Sequence, residues 1–195
     1  MRAIGIAATA ALLASAAAAN GAYYYINQNF EGAWLPPGWS IQTATPNGNA
    51  GWTQTTGPYG YCARGYAYSY YYQYPCYGFL NSPGFYINAG TTLYYRFDYA
   101  RTYGGPPATT GAGFYLYRGT SPVYIHSLDG LTDWTVASGS IPINTSGSYY
   151  GMWMIKAAGT GLNYTYLYLD NVALSDELVE GVAPASLGRV KAIFR

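Results

Sequence analysis

The sequence predicts an all-β fold, a sandwich or barrel of short strands, and three observations predict it. Apolar and polar residues alternate with a period of two in several separate runs. Clusters of Gly, Pro, Asn and Ser punctuate those runs at regular intervals. No helical period of useful length occurs before Ser175.

The elements follow in chain order. One positive charge at Arg2 precedes an alanine-rich apolar run from Ala3 to Ala14, and Ala17-Ala18-Ala19 supplies small residues beside a cleavage point. Residues 1–19 are therefore expected to be a secretory signal peptide, cut after Ala19. The run is shorter than the roughly 20 apolar residues that cross a bilayer, and no other segment of the chain could span one. Residues 20–174 are expected to form one domain with a sizeable core.

Within that domain, Thr92 to Tyr99 alternates most clearly, with Leu93, Tyr95, Phe97 and Tyr99 on one face and Tyr94, Arg96 and Asp98 on the other. The same pattern recurs in Phe114 to Arg118, Tyr149 to Lys156 and Tyr164 to Leu174. Turns are expected at Pro36-Pro37-Gly38, Pro46-Asn47-Gly48-Asn49, Gly104-Gly105-Pro106-Pro107 and Asn144-Thr145-Ser146-Gly147-Ser148. After Leu174 an acidic stretch and then a basic, apolar end form a tail, 175–195, expected to lie outside the sandwich and to be a candidate sorting or attachment signal.

Charge narrows the partners. Between Asn20 and Leu174 the cations are Arg64, Arg96, Arg101, Arg118 and Lys156, and the anions are Glu31, Asp98, Asp129, Asp133 and Asp170, so the domain is neutral. Nucleic acid is not an expected partner, because binding phosphates takes clustered Lys and Arg. All 25 tyrosines fall in this neutral region. Such a surface stays hydrated through its hydroxyls yet offers apolar area at little entropic cost, and it lacks the net charge that keeps copies apart. Self-association or adhesion to a surface polysaccharide is expected. The densest stretch, Tyr66 to Tyr77, nominates Tyr68, Tyr70, Tyr71, Tyr72 and Tyr74 as binding residues. One sandwich core cannot take the rings on both faces of an extended chain.

Cys62 and Cys76 are the only cysteines, and an even pair in an exported chain reads as a disulfide. Catalysis finds little support. His126 is the sole imidazole, no Gly-x-Ser-x-Gly elbow is present, and Asp129 with Asp133 brackets a turn at Asp129-Gly130. The five tryptophans, Trp34, Trp39, Trp52, Trp134 and Trp153, are read as core.

The order of short motifs carries a resemblance. The chain reads Asn29-Phe30-Glu31-Gly32, Leu35-Pro36-Pro37-Gly38-Trp39, Gly51-Trp52, Gly78-Phe79-Leu80-Asn81-Ser82-Pro83, Leu93-Tyr94-Tyr95-Arg96-Phe97-Asp98-Tyr99 and Tyr168-Leu169-Asp170-Asn171-Val172. From about Ile26 to Leu174 it resembles the cleaved-adhesin or choice-of-anchor J family, relatives of the MAM-type jelly rolls, from which it departs in its excess of tyrosine. The resemblance implies an antiparallel β-sandwich of jelly-roll topology, secretion, and adhesion or another non-catalytic role. It also implies a structural calcium at Glu31 and Asp170, since Ca²⁺ takes six to eight oxygens and two carboxylates with backbone carbonyls supply them. Two functions stand: a secreted or cell-surface adhesin or self-associating filament, sheath or matrix subunit, and a lectin-like carbohydrate-binding module.

Overall fold

The computed structural model describes residues 23–45, 48–69, 74–106, 109–159 and 162–178. The expected signal peptide, Tyr70, Tyr71 and Tyr72, and most of the expected tail lie outside the described residues. Among the described residues twelve strands follow one another: β1 (Tyr24–Gln28), β2 (Ser40–Ala44), β3 (Gly48–Gly57), β4 (Gly60–Ser69), β5 (Cys76–Asn81), β6 (Phe85–Ile87), β7 (Thr92–Gly104), β8 (Thr110–Arg118), β9 (Ser121–Ser127), β10 (Thr132–Pro142), β11 (Gly147–Ala157) and β12 (Asn163–Ser175).

They form two six-stranded sheets in which every pairing is antiparallel. Sheet I runs β10-β7-β12-β4-β3, with β1 on the second half of β12, and sheet II runs β2-β5-β11-β8-β9, with β6 on the first half of β11. The partner change along β12 falls at a bulge between Asp170 and Ala173, where Asn171 takes a φ of 51°. Asn tolerates that left-handed region better than most residues do.

Alternation decides what enters the core. Along β7, Leu93, Tyr95 and Phe97 point inward and are buried; along β11, Trp153 and Ile155 do so; along β12, Leu167 and Leu169. Trp153 is the hub. Its ring lies 5.1 Å from that of Phe114 and 5.7 Å from those of Phe97 and Trp39. Such contacts add to the burial of the rings themselves. Trp39, Trp52 and Trp153 are core as expected, whereas Trp134 is half-exposed on the outside of sheet I.

Two further features bear on the expectations. Ser175 belongs to the sandwich: it is buried, pairs with Tyr24, and is followed by Asp176, whose carboxylate accepts the Tyr23 N–H at 2.9 Å. The tail thus begins later than its composition suggests. No disulfide joins Cys62 to Cys76, and both residues are buried. A Cβ at Gly57 would stand 3.1 Å from the Cys62 sulfur, and one at Gly48 would stand 2.6 Å from the Cys76 sulfur. Between those glycines β3 is extended, which separates the two sulfurs by about 30 Å. A disulfide bridges Cα atoms no more than about 7 Å apart.

Candidate functional site

The outer face of sheet I is paved with tyrosine. Strand β12 presents Tyr164, Tyr166 and Tyr168, each opposite an outward residue of β4: Tyr68, Tyr66 and Arg64. All of these side chains are half-buried. The period of two that sends Leu167 and Leu169 inward forces the tyrosines outward. Ring centroids lie 5.7 Å apart for Tyr164–Tyr166, 6.5 Å for Tyr166–Tyr168, 5.9 Å for Tyr66–Tyr68 and 5.7 Å for Tyr68–Tyr166. The hydroxyls of Tyr68 and Tyr166 are hydrogen-bonded to each other. Trp134 of β10 extends the ladder, 6.4 Å from Tyr168.

Glycines on the neighbouring strands let the rings lie over the sheet. Gly104 of β7 faces Tyr164, and Gly51 of β3 faces Tyr66. A Cβ at Gly104 would stand 2.4 Å from the Tyr164 ring, and one at Gly51 would stand 2.9 Å from the Tyr66 hydroxyl. Side chains there would lift the rings off the surface. The Arg64 guanidinium on this face stands 5.9 Å from the centre of the Tyr166 ring.

At the β12 bulge the face ends in a polar corner. Asp98 of β7 stands directly opposite Asp170 of β12, and both are buried. The Asn171 side-chain amide donates to Asp98 Oδ2 at 2.7 Å, and Arg96 pairs with Asp98 Oδ1 at 3.6 Å. A pocket of about 40 Å³ opens beside them, lined by Tyr59, Asp98, Trp134 and Thr135. Alternation alone places Asp98 outside, yet it is buried, with Tyr59 of the β3–β4 turn lining the pocket beside it.

The nominated residues divide. Tyr68 sits in the ladder, and Tyr74 is 59% exposed beyond the end of β4. Tyr164, Tyr166, Tyr168 and Trp134 were not singled out as a binding surface, although the alternation of Tyr164 to Leu174 already placed three tyrosines on one face. What the sequence does not show is that β12 and β4 are neighbours.

Glu31 and Asp170, the pair that the resemblance implies for calcium, each accept a backbone hydrogen bond. Glu31 Oε1 accepts the Tyr61 N–H at 3.1 Å, and Asp170 Oδ1 accepts the Asn171 N–H at 2.8 Å. The nearby carbonyls of Phe30 and Gly32 both face an amide donor, Gln54 Nε2, at 2.7 and 2.8 Å. Among the described residues no group of three or more His, Cys, Asp or Glu side chains gathers. Calcium requires six to eight oxygens free of competing donors.

Groups with catalytic potential are engaged in structure. His126 on β9 bonds through Nδ1 to the Tyr95 hydroxyl at 2.8 Å, and that hydroxyl also meets the Tyr124 hydroxyl at 2.9 Å. Burial, with the bond to Tyr124, pushes the Tyr95 phenol well above its ordinary range. Asp129 pairs at 3.5 Å with Arg101, whose buried guanidinium also donates to the Leu128 and Gly130 carbonyls at 3.3 and 3.4 Å, fastening the turn before β10.

Sheet II has an aromatic outer face of its own. Tyr117 of β8 stacks on Tyr150 of β11 at 5.3 Å, and Tyr77 stacks on Phe79 of β5 at 5.8 Å. Burial raises the Tyr115 and Tyr150 phenols.

These features define a jelly-roll β-sandwich with both outer faces aromatic and few charges on either. No protein-family model matches the sequence, and no curated protein sequence matches it. Solved structures share the fold. One, described as a carbohydrate-binding module of the β-sandwich superfamily with promiscuous specificity, is 15% identical with a TM-score of 0.51, over 75% of this chain and 60% of that chain. The Clostridium thermocellum N-terminal endo-1,4-β-D-xylanase 10B, comprising CBM22-1 and GH10 modules with xylohexaose, is 12% identical with a TM-score of 0.51, over 83% of this chain and 30% of that chain. The K1 cleaved adhesin domain of Lys-gingipain from Porphyromonas gingivalis is 13% identical with a TM-score of 0.47, over 78% of this chain and 98% of that chain.

Proposed function

We propose that this chain is an exported, non-catalytic adhesive protein of a cell surface or matrix, which binds uncharged surfaces and copies of itself through its two aromatic sheet faces. The observation that carries the reading is the pair of opposed faces. A polymerising or cross-bridging subunit needs two patches, and exposed aromatic patches on soluble proteins mark interaction sites. Tyrosine suits the role because its ring contributes area and its hydroxyl keeps the free surface hydrated. Near neutrality between Asn20 and Leu174 removes the repulsion that would oppose stacking.

Polysaccharide binding by sheet I is the second reading. It is supported by the fold shared with carbohydrate-binding modules and by rings that lie over the sheet, where a pyranose could stack on them.

One experiment separates the two. The double substitution Tyr164→Ser/Tyr168→Ser disrupts sheet I, and Tyr117→Ser/Tyr150→Ser disrupts sheet II; each variant is assayed for assembly by light scattering and for retention on insoluble cellulose, xylan and chitin. Assembly lost in both variants supports the adhesive reading. Retention lost only in the sheet I variant, with wild-type protein staying monomeric, transfers the conclusion to carbohydrate binding. If wild-type protein neither assembles nor is retained, both readings fall.

A further inference from the structure

We infer that Tyr68 and Tyr166 form an oxidative cross-linking site, at which a one-electron oxidant joins β4 to β12 through a dityrosine bond. Four observations converge. The two hydroxyls are in hydrogen-bond contact, so the oxygen ends of the two phenols, beside which phenoxyl radicals couple, are brought together. The ring centroids are 5.7 Å apart. The residues lie diagonally across adjacent strands, since Tyr68 pairs with Tyr164 and Tyr66 with Tyr166, within the reach of long side chains. Both rings lie on the outer face of sheet I and are only partly buried, so an oxidant can reach them.

The ladder supplies a route for the oxidation. An oxidant that meets Trp134 or Tyr168 removes an electron there, and the hole passes along contacts of 6.4 Å and 6.5 Å to Tyr166. The hydrogen bond gives the departing phenolic proton an acceptor in the partner hydroxyl. The chemistry balances with hydrogen peroxide and a haem peroxidase as oxidant. Each phenol loses one electron and one proton, and the two radicals join carbon to carbon. The hydrogens on the coupling carbons return to the oxygens, and one peroxide is reduced to two waters. The product has lost two hydrogens.

The other pair of contacting hydroxyls among the described residues is Tyr95 with Tyr124 at 2.9 Å. Tyr95 is buried between the sheets against Phe97 and Phe114, where a ring cannot turn to couple. It serves as the internal comparison. A bond at Tyr68–Tyr166 would close a loop of 98 residues, and links across long loops restrict the unfolded chain most.

The test treats the full chain, dilute enough to remain monomeric, with haem peroxidase and hydrogen peroxide, then maps linked peptides by mass spectrometry. The expected product is a monomer lighter by two hydrogens, with biphenol fluorescence, a peptide containing Tyr68 joined to one containing Tyr166, and a raised melting temperature. Tyr68→Phe and Tyr166→Phe keep the rings and should each abolish that peptide, while Tyr150→Phe should leave it. Links confined to pairs other than Tyr68–Tyr166, links only between molecules, or a linked monomer undiminished in Tyr68→Phe would each overturn the inference.

Discussion

Gln54→Ala tests what holds the corner between β1 and β3 together. In the structure one amide nitrogen donates to two carbonyls, those of Phe30 and Gly32, at 2.7 and 2.8 Å, and Phe30 itself sits at a φ of 54°. Each such hydrogen bond is worth about 0.5–1.5 kcal/mol net, so losing both costs about 2 kcal/mol. For a domain of this size about 1 kcal/mol shifts the melting temperature by roughly 2–4 °C, so the expected loss is roughly 4–8 °C. The assay is thermal unfolding followed by near-ultraviolet circular dichroism, with and without a calcium chelator. The wild type is expected to ignore the chelator because an amide, not a cation, bridges the carbonyls. Gln54→Glu turns a donor into a third acceptor, so its stability should become calcium-dependent in proportion to RT ln(1 + [L]/Kd). A wild-type melting temperature that falls on chelation, or a Gln54→Ala protein as stable as wild type, would refute the reasoning.

Other outcomes follow from single features. Trp153→Ala removes the hub of the core and should cost about 3–5 kcal/mol by chemical denaturation. Because β3 holds the two cysteines at its opposite ends, a thiol reagent under denaturing, non-reducing conditions should count both, and reductant should leave the melting temperature unchanged. The phenols of Tyr25, Tyr95, Tyr115 and Tyr150 are all raised above the ordinary value of 10.0, chiefly by burial. The native state therefore keeps protons that the unfolded chain releases, so their contribution is full below pH 10.0 and is lost as the pH rises further. A melt flat to about pH 9 and falling beyond 10 is expected, with Tyr95→Phe softening the fall.

The sequence by itself determined the sandwich, the strands at its centre and the chemistry of its surface. Alternation is a local property. Leu167 and Leu169 must turn one way and Tyr164, Tyr166 and Tyr168 the other, whatever β12 pairs with, and the near absence of charge leaves such a face to aromatic rings and hydroxyls. Pairing is what the sequence could not state. That β12 lies beside β4, putting the Tyr68 hydroxyl against that of Tyr166, depends on strands 98 residues apart finding one register. The cysteines show the same limit from the other side: close in sequence and plausible as a bridge, they are carried to opposite ends of β3 because the chain between them leaves Cys62 along an extended strand. Asp98, outward by its period, is nonetheless buried, beside Tyr59 of the β3–β4 turn and opposite Asp170 at the start of the β12 bulge. Local periodicity selects the face on which a side chain stands, but proximity across strands is a sum of long-range contacts, and only the folded sheets decide it.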